Sequence, residues 1–532
     1  MKHFVIFLLF AATHQQSPQV TTPLGDIVGS LLTTRLNKTI YAFRGIRYAQ
    51  APVGELRFKP PVPVEKWSTV YNATTDGPVC PQPSDDPISE DCLLLNVYTT
   101  QLPDGGTNPK RPVIVFIHAG GFYSGTGRSD WAGSQYFLDQ DIVLVTINYR
   151  LGSLGFMSTG EDVPGNNGLK DQVVALKWVR DNIGAFGGDC DSVTLFGYSA
   201  GAWSISLHLV SPMSQGLFHK AILGSGSAIG QFDLPRNQLD LAKKQARFVG
   251  CPDNGTVNDM VACLKKVPAE TLGNTLPRFS EFNYDPIIIW YPVIEDDYGQ
   301  ERFLSDDPVA LFQKGNFSNI PIVTGITLQE FGYEAFDIVN NATLLSLLNN
   351  DFETYAPIAF LYERGTAKSR NISAALRKFY LCDQPLTNAS LSGLSQIYAD
   401  SIIGYPVNKL ANLISEKSSQ KVYYYEFTYK GRYSHFVLPG TNETWGPVHH
   451  DDLIYLFYIL PLFPFFNEDY PEREMVEKLT LLWTTFAKTG KPIAGVEWEG
   501  YNASTRKYLE IGEELSVKEG LHRERYEFWD SL

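Results

Sequence analysis

Apolar runs alternate with amphipathic stretches along this chain, and the alternation predicts strands and helices in turn. Residues 91–98 contain an apolar strand run, residues 112–117 are apolar throughout, and residues 142–147 are apolar but for Thr146. Continuous apolar runs of this length suit strands buried on both faces. Within residues 168–186, Leu169, Val173, Leu176, Val179 and Ile183 recur at helical spacing and share one face. Residues 193–196 are strand formers again, and residues 202–210 are apolar enough for a buried helix. Later strand candidates are 320–323 and 422–428, while 25–58 reads as short strands and turns. Strands alternating with helices imply the α/β class, a large and mostly parallel central sheet with helices on both faces. No internal repeat, low-complexity tract or long linker interrupts the pattern, so residues 18–532 are expected to form a single domain.

Between the strand at 193–196 and the helix after it lies Gly197-Tyr198-Ser199-Ala200-Gly201, which fits G-x-S-x-G. Strand, sharp turn and helix are the setting in which that motif presents a nucleophilic serine. Gly197 and Gly201 let strand and helix close without a Cβ clash, which would push Ser199 out at the helix start. A second glycine turn, His118-Ala119-Gly120-Gly121-Phe122, follows the strand at 112–117. Acyl transfer needs backbone donors where negative charge develops, and Gly120, Gly121 and Ala200 are the candidates for that oxyanion hole. A histidine must serve as base. His449 and His450 are adjacent in a turn at 446–453, and spacing alone does not choose between them. If the fold is that of an α/β-hydrolase, the acid should fall between serine and histidine in the chain; Glu330, after the strand at 320–323 and a turn at Gly325, is the candidate.

The formal net charge of the 532 residues is −14 and no basic run stands out, which argues against nucleic acid or an anionic membrane surface as partner. Met1-Lys2-His3 precedes an apolar run at 4–12 and a polar stretch at 13–17. That is the pattern of a secretory signal peptide, expected to span 1–17, and it is too short to cross a bilayer. No transmembrane anchor is expected. Nine N-x-S/T sequons begin at Asn37, Asn72, Asn254, Asn316, Asn341, Asn371, Asn388, Asn442 and Asn502, consistent with a secreted glycoprotein. Of six cysteines, Cys80 with Cys92 and Cys251 with Cys263 each bracket a short polar loop where local pairing is easy. Cys190 and Cys382 have no local partner, and Cys190, just before the elbow strand, is expected to be buried. No CxxC or histidine-rich spacing points to a metal site.

With these pieces in order, the chain resembles the type-B carboxylesterase and lipase family, the cholinesterase-like α/β-hydrolases. The resemblance spans nearly the whole mature chain. It is carried by Phe43-Arg44-Gly45-Ile46-Arg47-Tyr48-Ala49, Glu90-Asp91-Cys92-Leu93-Leu94-Leu95-Asn96, Gly165-Asn166-Asn167-Gly168-Leu169-Lys170-Asp171-Gln172, the elbow, and the turn at 446–453. It implies a Ser199-Glu330-His449 triad, with His449 chosen over His450 as the fourth residue of G-x-x-H-x-D-[DE]-L. It also implies the oxyanion donors named above, disulfides Cys80–Cys92 and Cys251–Cys263, a buried Arg44–Glu90 pair, and no cofactor or metal.

Four departures bear on substrate. Tyr198 stands where the family most often has Glu, and the loop between Cys80 and Cys92 lacks the Trp that binds choline in cholinesterases. Both argue against acetylcholine. Ala119 replaces the first glycine of the oxyanion triplet, and Phe331 stands where Gly is common after the acid. The expected function is a secreted carboxylic ester hydrolase acting on uncharged, largely apolar small-molecule esters. A hormone or pheromone esterase, of the juvenile-hormone kind, is the rival within that class. A cholinesterase-like adhesion protein is the rival outside it, disfavoured because those proteins typically lose a triad member.

Overall fold

The computed structural model describes residues 17–493 and 495–532, so the expected signal segment lies outside them apart from Ser17. In chain order the strands are β1 (Gln19–Thr22), β2 (Gly25–Val28), β3 (Ser30–Thr33), β4 (Thr39–Arg47), β5 (Tyr71–Asn72), β6 (Leu94–Thr99), β7 (Arg111–Ile117), β8 (Val143–Ile147), β9 (Gly188–Tyr198), β10 (Lys220–Gly224), β11 (Ile322–Thr327), β12 (Val422–Phe427), β13 (Lys507–Ile511) and β14 (Leu515–Glu519). A small sheet joins β1, β2 and β5; the other 11 strands form one sheet in the order β14-β13-β12-β11-β10-β9-β7-β8-β6-β4-β3. From β8 through β13 neighbouring strands are parallel, and the remaining pairs towards both edges are antiparallel.

Side-chain alternation splits each central strand between two cores. Val113, Val115 and Ile117 of β7 pack with Val193 and Leu195 of β9 on one face. Ile114, Phe116, Phe196 and Tyr198 pack on the other. Burial on both faces is why these strands carry unbroken apolar runs. Helices α1 (Gly152–Phe156), α2 (Asn167–Asn182) and α3 (Ala200–Val210) follow β8 and β9. The helix expected over 168–186 stops at Asn182 and tightens into a 3-10 turn at Ile183–Phe186, closed by Gly187 at φ 84°. Ile183 stays buried through that change, so the apolar spacing continues past the helix end.

Charge pairing corrects one expectation. Arg44 does not meet Glu90. Its Nη1 donates to Asp76 at 3.0 Å and its Nη2 to the Thr74 carbonyl at 2.6 Å. Glu90 instead takes a bidentate pair from Arg57 at 2.7 and 2.5 Å. The register of β4 shifts between Phe43 and Ile46, which turns Arg44 towards 74–76. The matched Lys170-Asp171 stretch supplies two buried pairs, Arg150–Asp171 and Lys170–Glu295, each at 2.6 Å. Disulfides join Cys80 to Cys92 and Cys251 to Cys263. Cys190 and Cys382 are unpaired; Cys190 is half-buried within β9 rather than enclosed, and Cys382 is exposed.

Candidate active site

β9 ends at Tyr198 and α3 begins at Ala200, leaving Ser199 alone in the turn at φ 53°, ψ −119°. That conformation is strained for a residue with a Cβ and persists only where surroundings enforce it. The enforcing contacts are backbone on backbone. A Cβ on Gly201 would lie 2.0 Å from the Ile117 carbonyl oxygen, and one on Gly197 would lie 2.4 Å from Gly201. The Ser199 N–H donates to the Gly224 carbonyl at 2.9 Å, tying the turn to the end of β10.

Glu330 and His449 reach the same end of the sheet from loops beyond β11 and β12. His449 Nδ1 lies 2.5 Å from Glu330 Oε2, and the His449 amide donates to the Glu330 carbonyl at 3.2 Å. Glu330 Oε1 accepts from the Ser225 hydroxyl at 2.7 Å and the Thr327 amide at 2.6 Å. A carboxylate surrounded by donors at both oxygens is oriented as well as paired. Burial pushes the Glu330 carboxyl up, and the Ser225 and Thr327 donors pull it back. Burial also lowers the His449 imidazole, which favours the neutral form a base requires. His449 Nε2 is buried and has no hydrogen-bond partner among the described residues. The Phe331 ring lies 4.1 Å from the His449 ring, so the residue departing from the family's glycine packs on the imidazole.

His450 makes no bond to Glu330. Its amide donates to the Tyr198 hydroxyl at 3.1 Å. Tyr198 is fully buried, and burial with Asp452 and Glu330 nearby keeps its phenol neutral. The geometry therefore separates the two histidines that local spacing leaves equivalent.

Ser199, Ala200, Gly120, Gly121 and His449 line one cavity of about 260 Å³. Gly120 and Gly121 have φ 113° and 57°, and a Cβ on Gly120 would meet the Ser124 carbonyl oxygen at 2.2 Å. Their amides and that of Ala200 make no backbone hydrogen bond among the described residues. Sequence reasoning passed over Ser225, Thr327 and the Tyr198–His450 bond. Ser225 carries φ 48° at the end of β10, a backbone conformation with no residue-type signal when the residue is serine.

A mostly parallel sheet with a serine on a strand–turn–helix elbow, and a histidine and a glutamate meeting at the same edge, defines the α/β-hydrolase class. Within it, residues 16–529 match the model of the carboxylesterase family, and the chain belongs to that family. It is an esterase. The juvenile hormone esterase of Tribolium castaneum is 38% identical over 89% of this chain and 84% of its own length. Esterase FE4 of Myzus persicae is 39% identical over 91% of this chain and 86% of its own. The crystal structure of juvenile hormone esterase from Manduca sexta, with OTFP covalently attached, superposes at a TM-score of 0.85 and 30% identity, covering 97% of this chain and 99% of that one.

Proposed function

We propose that residues 18–532 act as one secreted catalytic unit that hydrolyses uncharged, largely apolar carboxyl esters through Ser199, His449 and Glu330. The observation that carries this is the 2.5 Å contact of His449 Nδ1 with Glu330, which His450 lacks and which leaves Nε2 as the unpaired nitrogen of the His449 ring lining the Ser199 cavity. Nε2 takes the Ser199 proton as Oγ attacks the ester carbonyl. Negative charge on the former carbonyl oxygen is met by the Gly120, Gly121 and Ala200 amides. Collapse of the tetrahedral intermediate releases the alcohol, which takes the proton from His449, and leaves an acyl-Ser199 ester. A water activated by His449 then frees the acid. No cofactor or metal enters the sequence.

Secretion rests on the leader at 1–17 and on the nine sequon asparagines, all exposed. Among the described residues no helix is long and apolar enough to cross a membrane. A hormone or pheromone esterase is the second reading, favoured by the likeness to two juvenile hormone esterases.

The test is labelling with an organophosphate, alongside turnover of a short p-nitrophenyl ester. Wild type should be labelled at Ser199 alone, and Ser199→Ala should fold normally and lose several orders of magnitude in rate. Labelling elsewhere, or near-normal turnover by the variant, overturns the assignment.

A further inference from the structure

The Ser199 cavity is walled by apolar groups, among them Trp203, Ile287, Ile288, Phe331, Ile402 and Ile403. Two carboxyl side chains, Asp285 and Glu334, also line it, and among the described residues no lysine or arginine does. Their situations differ. Asp285 is buried, and its Oδ2 accepts from the Tyr398 hydroxyl at 2.7 Å. Glu334 is four residues on from Glu330, at the start of the helix Glu334–Asn340. It is half-buried, and its carboxylate takes no hydrogen bond or ion pair among the described residues. Burial, with Asp337 adding like charge, pushes its pKa up to about 7. A carboxylate at a helix start is ordinary in itself. Glu334 differs in lining the mostly apolar Ser199 cavity with no hydrogen-bond partner of its own among the described residues.

A ligand pocket is generally apolar, with a few polar groups that fix the ligand's orientation. We infer that Glu334 is a specificity-determining residue that accepts a hydrogen bond from the substrate, from a hydroxyl or amide N–H on the part of the ester remote from the reacting carbonyl, and that esters bearing a carboxylate are rejected there. The inference rests on the reading of Ser199 as nucleophile and narrows its substrate class. A substrate carrying the donor pairs a group that otherwise stays unpaired. One lacking it leaves a desolvated acceptor behind, and sites built this way discriminate strongly. A donor on an otherwise apolar, uncharged chain also loses less hydration on entry than a charged group.

The test is kcat/KM for a matched set of esters ending in hydroxyl, methyl or carboxylate, the end group placed in turn on the acyl and alcohol sides. Wild type, Glu334→Gln and Glu334→Leu are compared, and each is labelled with an organophosphate to count intact sites. Wild type should prefer one hydroxyl ester over its methyl match by about tenfold or more, a change of roughly 1.4 kcal/mol. The carboxylate ester should be slowest. Glu334→Leu should abolish or reverse the hydroxyl preference. Glu334→Gln should keep it, while gaining about tenfold towards the carboxylate ester as the charge is removed. The same hydroxyl-to-methyl ratio in wild type and Glu334→Leu overturns the inference, even with Ser199 fully labelled. Failure to label Ser199 in wild type overturns the nucleophile assignment instead.

Discussion

The Tyr198 hydroxyl accepts the His450 amide N–H at 3.1 Å, so the residue before Ser199 holds the turn that carries His449. The Tyr198 ring also lies 5.2 Å from the His449 ring and 5.1 Å from that of His450. Where most of the family has a carboxylate, this chain uses a neutral phenol as a clamp.

Tyr198→Phe keeps the ring and removes the acceptor. Leaving a buried N–H unpaired costs about 1–3 kcal/mol. The expected result is a fall in kcat of about tenfold, roughly 1.4 kcal/mol, with KM little changed. Steady-state kinetics on one ester checks this. Unchanged kcat would mean that the Asp451 bond to the Val448 amide, at 2.9 Å, and the His449 amide bond to the Glu330 carbonyl hold the turn without it.

His449→Ala should be nearly inactive, whereas His450→Ala should retain most activity. Only His449 contacts Glu330, and the His450 amide that bonds Tyr198 survives the substitution. Exchanged phenotypes would mean that the turn presents its histidines in the opposite register.

Rate should fall with pH because His449 accepts a proton only as the neutral imidazole. Burial lowers its pKa from 6.5, so the acid limb of kcat/KM is expected below that value. Protonation inactivates, so activity is complete above the limb and lost beneath it. Glu330→Gln would place an amide N–H against Nδ1 and favour the wrong tautomer, with an expected loss of about 10⁴ in kcat. A pH–rate profile and a rate for that variant decide both points. An acid limb above 6.5 would show that the Glu330 charge outweighs burial.

Gly201→Ala is expected to abolish activity, because its Cβ would sit 2.0 Å from the Ile117 carbonyl. The elbow must open for it to fit, which displaces Ser199. Organophosphate labelling should fall together with turnover. Normal labelling with normal rate would mean that α3 can shift away from β7 without moving the serine.

Asp171→Ala removes the partner of a buried guanidinium, leaving Arg150 with the Lys59 carbonyl at 2.7 Å. Breaking a buried pair from one side costs about 3–5 kcal/mol. A lower Tm at fixed scan rate is expected, with the activity of surviving enzyme little changed. A Tm equal to wild type would show that water reaches Arg150 and replaces the carboxylate.

Three interior strands were closely legible because burial on both faces demands apolar runs: β7, β8 and β12 lie within a residue or two of the runs that announced them. The short strands β10 and β13 were missed although they lie inside the sheet, and so was the edge strand β14. Its residues are half-buried or exposed, and it carries only weak alternation. Ser199 was legible because close backbone approach restricts its neighbours to glycine at two local positions. The Glu330–His449 contact was not legible from local residues, since 119 positions separate the pair and only the parallel order of β11 and β12 brings their loops together. Arg44 went wrong for a related reason. Which acid an arginine meets depends on strand register, and a shift in β4 chose Asp76.

A still longer separation, between Ser199 and His449, has a consequence for the nascent chain. The serine elbow is synthesised well before the turn that carries its base. The Gly224 carbonyl that ties down the Ser199 amide also comes later in the chain. Contacts this distant form only after the large loops between them close. Esterase activity therefore arises as one of the last events of folding, and the growing polypeptide has no assembled site until the turn at His449 has been made.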